Sequence, residues 1–583
     1  MLSRGLPHRR RRRLLVLALL SCAAGGAARA QSPAPATTLP FAEEVSEKVN
    51  AASFFGRATN TDDPATPTPT PAFKLMRVGV KNERPLPLSL QDALRLALDN
   101  NNDIEVARGD VRLGEVMLRS LDGIYEPLFQ FNPRYSNSVT PTASTLGGAN
   151  KAGSVTRASL ELDTSVTKLM RTGGGQYQVF YNTQRETSSS SVVLVSPLYL
   201  NTVGVQVTQP LLRDRSIDKA RRDIRIQRKR LEQSDSDFRR LTTDVIVQVQ
   251  HAYWDLVFAL RDQQNRAASL NLVRQQLRET EDRISSGATA PLERTEVQAE
   301  LSTREADVLL AKQSVTLAEN NLKRLLLRDS TAPEWAMQLL PTDEPPFDAE
   351  RPILLDEALA EARANRPILN RLRLDHEISD IDLKYLRNQT RPRVDLQATV
   401  ATTGLAGSPT LTPGTQLPRS IPENFNGGYG KAASNLFTLD TRSFSVGVTV
   451  QFPLRNKTAQ ANLEAAQIQR AQLAAALRSE IQLVEVEVRN SAEQVETARR
   501  RVLAARTARE NADSQLAGEK QLYQVGRSST FLLLQRESQL SSARSLELRA
   551  QIEYGKALAT LQQATASTLT ANHVFVDAEA ARD

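Results

Sequence analysis

Apolar residues return every seven positions at Ile217, Ile224, Leu231, Phe238, Val245, Ala252 and Ala259, and then at Leu270, Val273, Leu277 and Ile284. That spacing holds one face of a helix against a partner along its whole length and is the mark of a coiled coil. No proline or glycine interrupts residues 213–286, so the pattern predicts one helix there, roughly 110 Å long at about 1.5 Å per residue. The eleven-residue step from Ala259 to Leu270 is a stutter, which unwinds a left-handed supercoil locally and straightens the helix. A second seam runs through Leu473, Leu477, Ile481, Val484, Val488, Val495, Val502, Ala505, Ala512 and Leu516 and predicts a second long helix over 456–525. Each long helix ends at a glycine, Gly287 or Gly526, and a returning helix follows, over 291–328 and 531–568. Two such hairpins in one chain weigh against an ordinary coiled-coil dimer.

The hairpins belong to two copies of one larger unit. Leu90-Gln91-Asp92-Ala93-Leu94, with Ala97, Asn100, Ile104, Leu113 and Pro127, matches Leu355-Asp356-Glu357-Ala358-Leu359, with Ala362, Asn365, Leu369, Ile378 and Pro392, at a constant offset of 265. Such self-similarity defines a structural repeat. Each copy predicts an amphipathic helix, over 89–121 and 354–386, with Ser89 and Asp92 suited to starting the first. A short helix and a returning helix placed end to end match the length of one long helix, so each long helix can lie beside a stacked pair.

After Pro127 and Pro392 the apolar period falls to two, which predicts strand regions over 128–210 and 393–453. Phe444, Val446, Val448, Val450 and Phe452 alternate with Ser443, Ser445, Gly447, Thr449 and Gln451, and Val203, Val205 and Val207 alternate before Pro210. The apolar face of such strands is the core of a soluble sandwich or the lipid face of a membrane barrel. Thirteen of the 28 aromatic side chains fall in 125–200 and 425–452, the enrichment that interfacial girdles need. Pro127, Pro210, Pro392 and Pro453 stand at the four junctions of strand and helix, where proline turns the chain without orphaning an N–H. Between the outer strands of the first copy, 158–187 reads as an added hairpin around Thr172-Gly173-Gly174-Gly175. Either the hairpin is an external elaboration of a four-stranded contribution, the favoured reading, or six strands are contributed. The Ser-, Thr- and Gly-rich loops at 140–154, 187–191 and 404–430 are expected to face outside.

Composition changes the picture mainly at the start. Residues 1–30 form a signal peptide: Arg9 to Arg13, an apolar run from Leu14 to Leu20, and Ala28-Arg29-Ala30 before Gln31. The formal charge of +8 falls to +1 once the seven arginines of that segment are removed, and nothing in the remainder implies nucleic acid. The only cysteine is Cys22; a lipoprotein cleavage there would leave it acylated, whereas cleavage after Ala30 leaves no thiol for disulfides or metal. Residues 31–87 are a Pro- and Thr-rich arm, and no apolar run of about eighteen residues follows to make a membrane helix. Any membrane crossing must therefore be made by strands.

The first repeat spans 88–328, the second 354–570, with an equatorial linker at 329–353 and a C-terminal tail at 571–583. This fold class is mixed α+β, two-fold repeated, with long coiled-coil hairpins and β-strands. With the paired segments 89–135 and 354–400 and the two glycine-ended hairpins, it resembles the TolC-like outer-membrane efflux protein family. The resemblance covers about 88–570. It implies a homotrimer whose strands close one barrel in outer-membrane lipid and whose helices form a periplasmic tunnel, in a Gram-negative-type bacterium. It also implies a passive exit duct of a tripartite efflux or secretion system, docked on a periplasmic adaptor (membrane fusion) protein and served by an inner-membrane pump. One protomer has too few strands to close a barrel, so oligomerisation follows independently.

Within that frame, Gly287, Gly526 and Arg527 are the tip turns expected to dock the adaptor. The resemblance places a carboxylate six residues past the tip glycine, at Glu293, with Glu296 one turn on; Leu532 and Gln535 stand at the matching positions of the second copy. Arg294 and Arg527 are candidate gate partners, or plain surface charges. No cofactor, metal site or enzyme chemistry is expected. His8, His251, His376 and His573 are scattered, and Gly173–Gly175 opens no helix as a phosphate loop would. The alternative of another class is a periplasmic coiled-coil scaffold or adaptor without a barrel; the alternating strands and the lack of a lipoyl-like β-domain favour the channel.

Overall fold

The computed structural model describes residues 85–142, 147–149, 153–348, 353–410 and 421–574. The expected signal peptide with Cys22, the arm up to residue 84 and the tail from residue 575 lie outside the described residues. The elements are β1 (Pro85–Leu88), α1 (Leu90–Asn100), α2 (Asn102–Asp122), β2 (Leu128–Pro141), β3 (Ser154–Leu169), β4 (Gln176–Ser188), β5 (Val195–Pro210), α3 (Lys219–Ser285) and α4 (Leu292–Leu326). There follow β6 (Gln338–Pro341), α5 (Leu355–Asn365), α6 (Pro367–Gln389), β7 (Arg393–Pro409), α7 (Tyr429–Asn435), β8 (Arg442–Gln451), α8 (Lys457–Gln524), α9 (Thr530–Thr565) and α10 (Thr568–Ala571).

The heptad seam is buried: Ile224, Phe238, Val245, Ala252, Ala259, Leu270 and Val273 on α3, and Val484, Val488, Val495, Val502 and Leu516 on α8. These residues pack the α3–α4 and α8–α9 hairpins, and α3 is flanked by α1, α2, α6 and α9. The first long helix starts later than the heptads predict. Residues 211–218 form a turn in which Asp214 takes φ 66°. Arg221 closes it, donating to the Asp214 carbonyl at 2.7 Å and to Asp218 Oδ2 at 2.9 Å. Asp218 then accepts the N–H of Arg221 at 2.8 Å as the N-cap, which satisfies a first-turn donor and favours the helix start.

The two shorter helices are each broken, where the sequence pattern predicted unbroken ones. In the second copy the cause is Pro367, which lacks an N–H and forces Arg366 out of helical geometry, to ψ 118°. In the first it is Asn101, at ψ 125°, whose Oδ1 accepts the N–H of Asp103 at 2.9 Å. These break residues are equivalent at the repeat offset, and they do the same work. Asn101 Nδ2 donates to the Leu325 carbonyl at 3.1 Å, and Arg366 Nη1 donates to the Ala564 carbonyl at 3.0 Å. Each break thus caps the otherwise unpaired C-terminal carbonyls of a returning helix and locks the stacked pair.

A belt crosses the helices at their middle. β1 pairs in parallel with β6, so the last residues assigned to the arm and part of the 329–353 linker form one small sheet. Beneath it α3 is buried on nearly every side from Val245 to Ala259, including Tyr253 and Trp254. Tyr253 Oη donates to Asp343 Oδ2 (2.9 Å) or the Leu88 carbonyl (3.0 Å), and the Asp343 N–H approaches it at 3.3 Å. Burial pushes the phenol up to about 12. Tyr253→Phe leaves the Asp343 N–H short of a partner, while the Leu88 carbonyl keeps the N–H of Thr342 at 3.2 Å, and is expected to cost about 1–3 kcal/mol. A lowered midpoint for heat dissociation of the assembly, measured beside a Trp335→Phe control, checks it.

The large sheet is antiparallel throughout, in the order β2-β3-β4-β5-β7-β8. The favoured expectation of four strands plus an external hairpin is therefore corrected. β3 and β4 are internal strands, paired on both sides over their length. Their turn lies at the helix end of the sheet, not the loop end. Gly173 and Gly174 take φ of 74° and 67°, and a Cβ on Gly174 would lie 2.3 Å from the Asp214 carbonyl oxygen. Only glycine permits both that conformation and that approach. Gln209 Nε2 donates to the Gly173 carbonyl at 2.8 Å, and the Arg171 guanidinium lies 5.2 Å from the centre of the Tyr125 ring. The glycine run, expected as the turn of an added hairpin, is thus seated against the turn that precedes α3. The described parts of the three polar loops join strands at the opposite end.

Candidate functional site

Register places one residue from every strand of the large sheet in a single row: Phe129, Val166, Val179, Val205, Val400 and Phe444. All six are apolar. Side chains two apart share a face, so Phe131, Leu162, Tyr177, Val203, Val207, Leu396, Val446 and Val448 extend the same belt. Many of them are open to the surroundings; Phe129 is 65% and Phe444 74% exposed. The row beside it on the opposite face reads Gln130, Ser165, Phe180, Gly204, Ala401 and Ser443, and the next Asn132, Asp163, Asn182, Thr202 and Thr403. That face also carries ion pairs, Arg134 with Glu161 and Arg157 with Glu186, each at 3.9 Å. An exposed apolar belt backed by a polar face is the pattern of a strand between lipid and water.

At the other extremity, the two hairpin tips have the same cap. Gly287 and Gly526 both take φ 73°. Ala288 donates to the Arg283 carbonyl at 2.9 Å, and Arg527 to the Leu522 carbonyl at 2.9 Å, the closing bond of a left-handed helix terminus. Arg527 is exposed. Arg294 pairs with Glu281 of its own hairpin at 3.3 Å, both half-exposed. Glu296 and Gln535 are exposed and line one cleft between α4 and α9.

Glu293 is set apart from these. It accepts a hydrogen bond from Thr530 Oγ1 at 3.0 Å, which ties the first tip to the second. Thr530 is buried and stands 3.2 Å from Tyr523 Oη, which also receives Gln276 Nε2 at 3.0 Å and Arg283 Nη1 at 2.9 Å. Arg283 stacks 4.6 Å above the Tyr523 ring. Beyond this stitch, Arg304 joins Glu300 to Ser538 across the same two helices, with Ser538 at 2.8 Å. Nearby, burial pushes the Glu537 carboxyl up, against the pull of Lys520 at 3.7 Å. Sequence reading missed Thr530, Gln276, Arg283 and the part played by Tyr523. The available signal was the aromatic three residues before Gly526, with an arginine four before Gly287.

The four prolines stand as the sequence placed them along the chain: Pro127 and Pro392 immediately before β2 and β7, Pro210 closing β5, and Pro453 just after β8. His251 packs between helices with Nε2 3.3 Å from the Lys556 carbonyl, and burial lowers its pKa. His376 lies 3.6 Å from Asp380. Among the described residues no group of side chains could hold a metal ion, and no helix is long and apolar enough to cross a membrane.

Comparison with known proteins agrees with this geometry. No curated protein sequence matches the chain. Solved structures share its fold at low identity, three of them as follows. CusC is 16% identical, with a TM-score of 0.56 over 87% of this chain and 99% of that one. The CmeC outer membrane channel of Campylobacter jejuni is 14% identical, with a TM-score of 0.56 over 84% and 90%. The MtrE outer membrane channel of Neisseria gonorrhoeae, in its open state, is 16% identical, with a TM-score of 0.55 over 82% and 89%. The family model described as outer membrane efflux protein matches residues 176–326 and 358–567, more than half of the sequence. Both copies of the repeat are represented in that match, and on it the chain belongs to the outer membrane efflux protein family.

Proposed function

We propose that three copies of this chain form the passive exit duct of a tripartite efflux or secretion system, carrying cargo from periplasm to exterior. The observation that supports it most is the apolar row from Phe129 to Phe444 with polar residues behind it, at one end of helices about 100 Å long. In a soluble scaffold that row would face water, at about 25 cal/mol per Å2 of apolar surface. In the outer membrane it faces lipid, and the polar face lines the lumen. The tips at Gly287, Gly526 and Arg527 then meet a periplasmic adaptor, which an inner-membrane pump supplies.

Entrance acidity rests on the first repeat, on Glu293 and Glu296, since Leu532 and Gln535 hold the matching positions of the second. Glu293 is the closing element on this reading, because its bond to Thr530 holds the two tips of one protomer together. Thr530→Val removes the bond and keeps the charge. A hydrogen bond to a charged group contributes about 1.5–3 kcal/mol, so the ratio of open to closed trimer should rise about tenfold or more for Thr530→Val and for Glu293→Ala. Glu296→Ala should lower cation selectivity without that opening. Single-channel recording in planar bilayers distinguishes them; an unchanged open probability in both Thr530→Val and Glu293→Ala would move the gate elsewhere.

A further inference from the structure

The large sheet is open, and its two edges are made to meet. β2 is exposed at all fourteen positions and β8 at all but one. β2 runs away from the helices and β8 runs back toward them, so the edge of one copy and the opposite edge of the next are antiparallel, like every pair within the sheet. An exposed strand edge in lipid leaves N–H and C=O groups with no water to satisfy them, which only closure removes. Pro133 in β2 withholds one donor, so the seam lacks a single bond there.

We infer that the occupant of each edge is a second copy of this chain, and that three copies close an eighteen-stranded barrel, three sheets of six. The inference rests on the trimeric duct proposed above and sets its bore. Three observations keep β3 and β4 inside the barrel wall. Both are paired on each side. Val166 and Val179 continue the apolar row without a gap, and Ser165 and Phe180 continue the opposite one. Their turn is seated at the helix end of the sheet by the 2.8 Å bond from Gln209 to Gly173 and by the close approach of Gly174 to Asp214, so the hairpin crosses the full height of the wall. Barrel diameter grows about linearly with strand number, and barrels of 16–18 strands leave an aqueous channel. Six strands per protomer therefore give about one and a half times the diameter that four would give. The barrel is then no obstacle to bulky polar cargo, and size selection falls to the tips.

The test is a strand count in the detergent-extracted, full-length trimer by electron cryomicroscopy, with thiol labelling of Ser165→Cys and Val166→Cys in membranes. Eighteen strands are expected, with a membrane-impermeant maleimide reacting at least tenfold faster at position 165 than at 166. Twelve strands with the hairpin outside the wall, and equal labelling at both positions, would overturn the inference while leaving the duct standing. A particle with no barrel would overturn the duct reading itself.

Discussion

Val205→Arg is expected to abolish assembly in the outer membrane. Val205 lies between Val179 and Val400 in the apolar row and is 43% exposed in the protomer, so in the barrel its neighbour on the open side is lipid. An arginine on the lipid face costs about 2–4 kcal/mol near the bilayer midplane and less toward the interfaces, and a trimer carries the cost three times. The adjacent Gln206 points to the opposite, polar face beside Gln178, and Gln206→Arg is expected to assemble normally. Outer-membrane yield of trimer, measured for the two variants side by side, checks the difference. A pair of equally affected variants would mean that the two faces are not divided between lipid and water.

The second large effect is expected at the belt. Glu319 and Lys323 form an ion pair at 2.8 Å whose side chains are only 3% and 2% exposed. Lys323 Nζ also donates to the carbonyls of Trp335, at 2.9 Å, and Met337, at 2.5 Å, and Glu319 accepts the N–H of Leu339 at 3.2 Å. The pair therefore fastens the linker and β6 to α4. Removing one partner of a buried pair leaves an uncompensated charge, at about 3–5 kcal/mol. Lys323→Met is expected to lower the dissociation midpoint of the trimer by the larger amount. Glu319→Leu combined with Lys323→Met should recover part of the loss, since an apolar replacement of the whole pair is often near neutral. A double variant worse than the single one by the sum of both effects would show that the backbone bonds, not the charges, dominate.

Much of this architecture is legible in the sequence because its signals are long. Heptads through Val245 and Val488, and the offset that relates Leu90–Leu94 to Leu355–Leu359, persist over tens of residues and survive local error. What periodicity does not carry was decided by local capping chemistry and by contacts between residues far apart in the chain. Pro367 is a readable helix break, and Asn101 stands at the repeat offset from the preceding Arg366, but the amphipathic pattern of the repeat runs through both. The late start of α3 depends on Asp218 and on the left-handed Asp214, neither of which periodicity registers. Six strands rather than four follows from where the Gly173–Gly174 turn is seated, a long-range contact with Asp214 that no spacing encodes. At the tips, Gly287 and Gly526 were readable from helix-stop rules. The stitch from Glu293 through Thr530 and Tyr523 was not, because it joins residues 237 apart in the chain.

The most direct measurement is single-channel conductance of the purified trimer carrying one cysteine, Gln206→Cys or Val205→Cys, before and after a water-soluble thiol reagent. Stepwise ion conductance is expected in both, reduced by the reagent in Gln206→Cys and unchanged in Val205→Cys. Protein that stays in the soluble periplasmic fraction and gives no steps, or a block at position 205 and not at 206, would contradict the proposed duct.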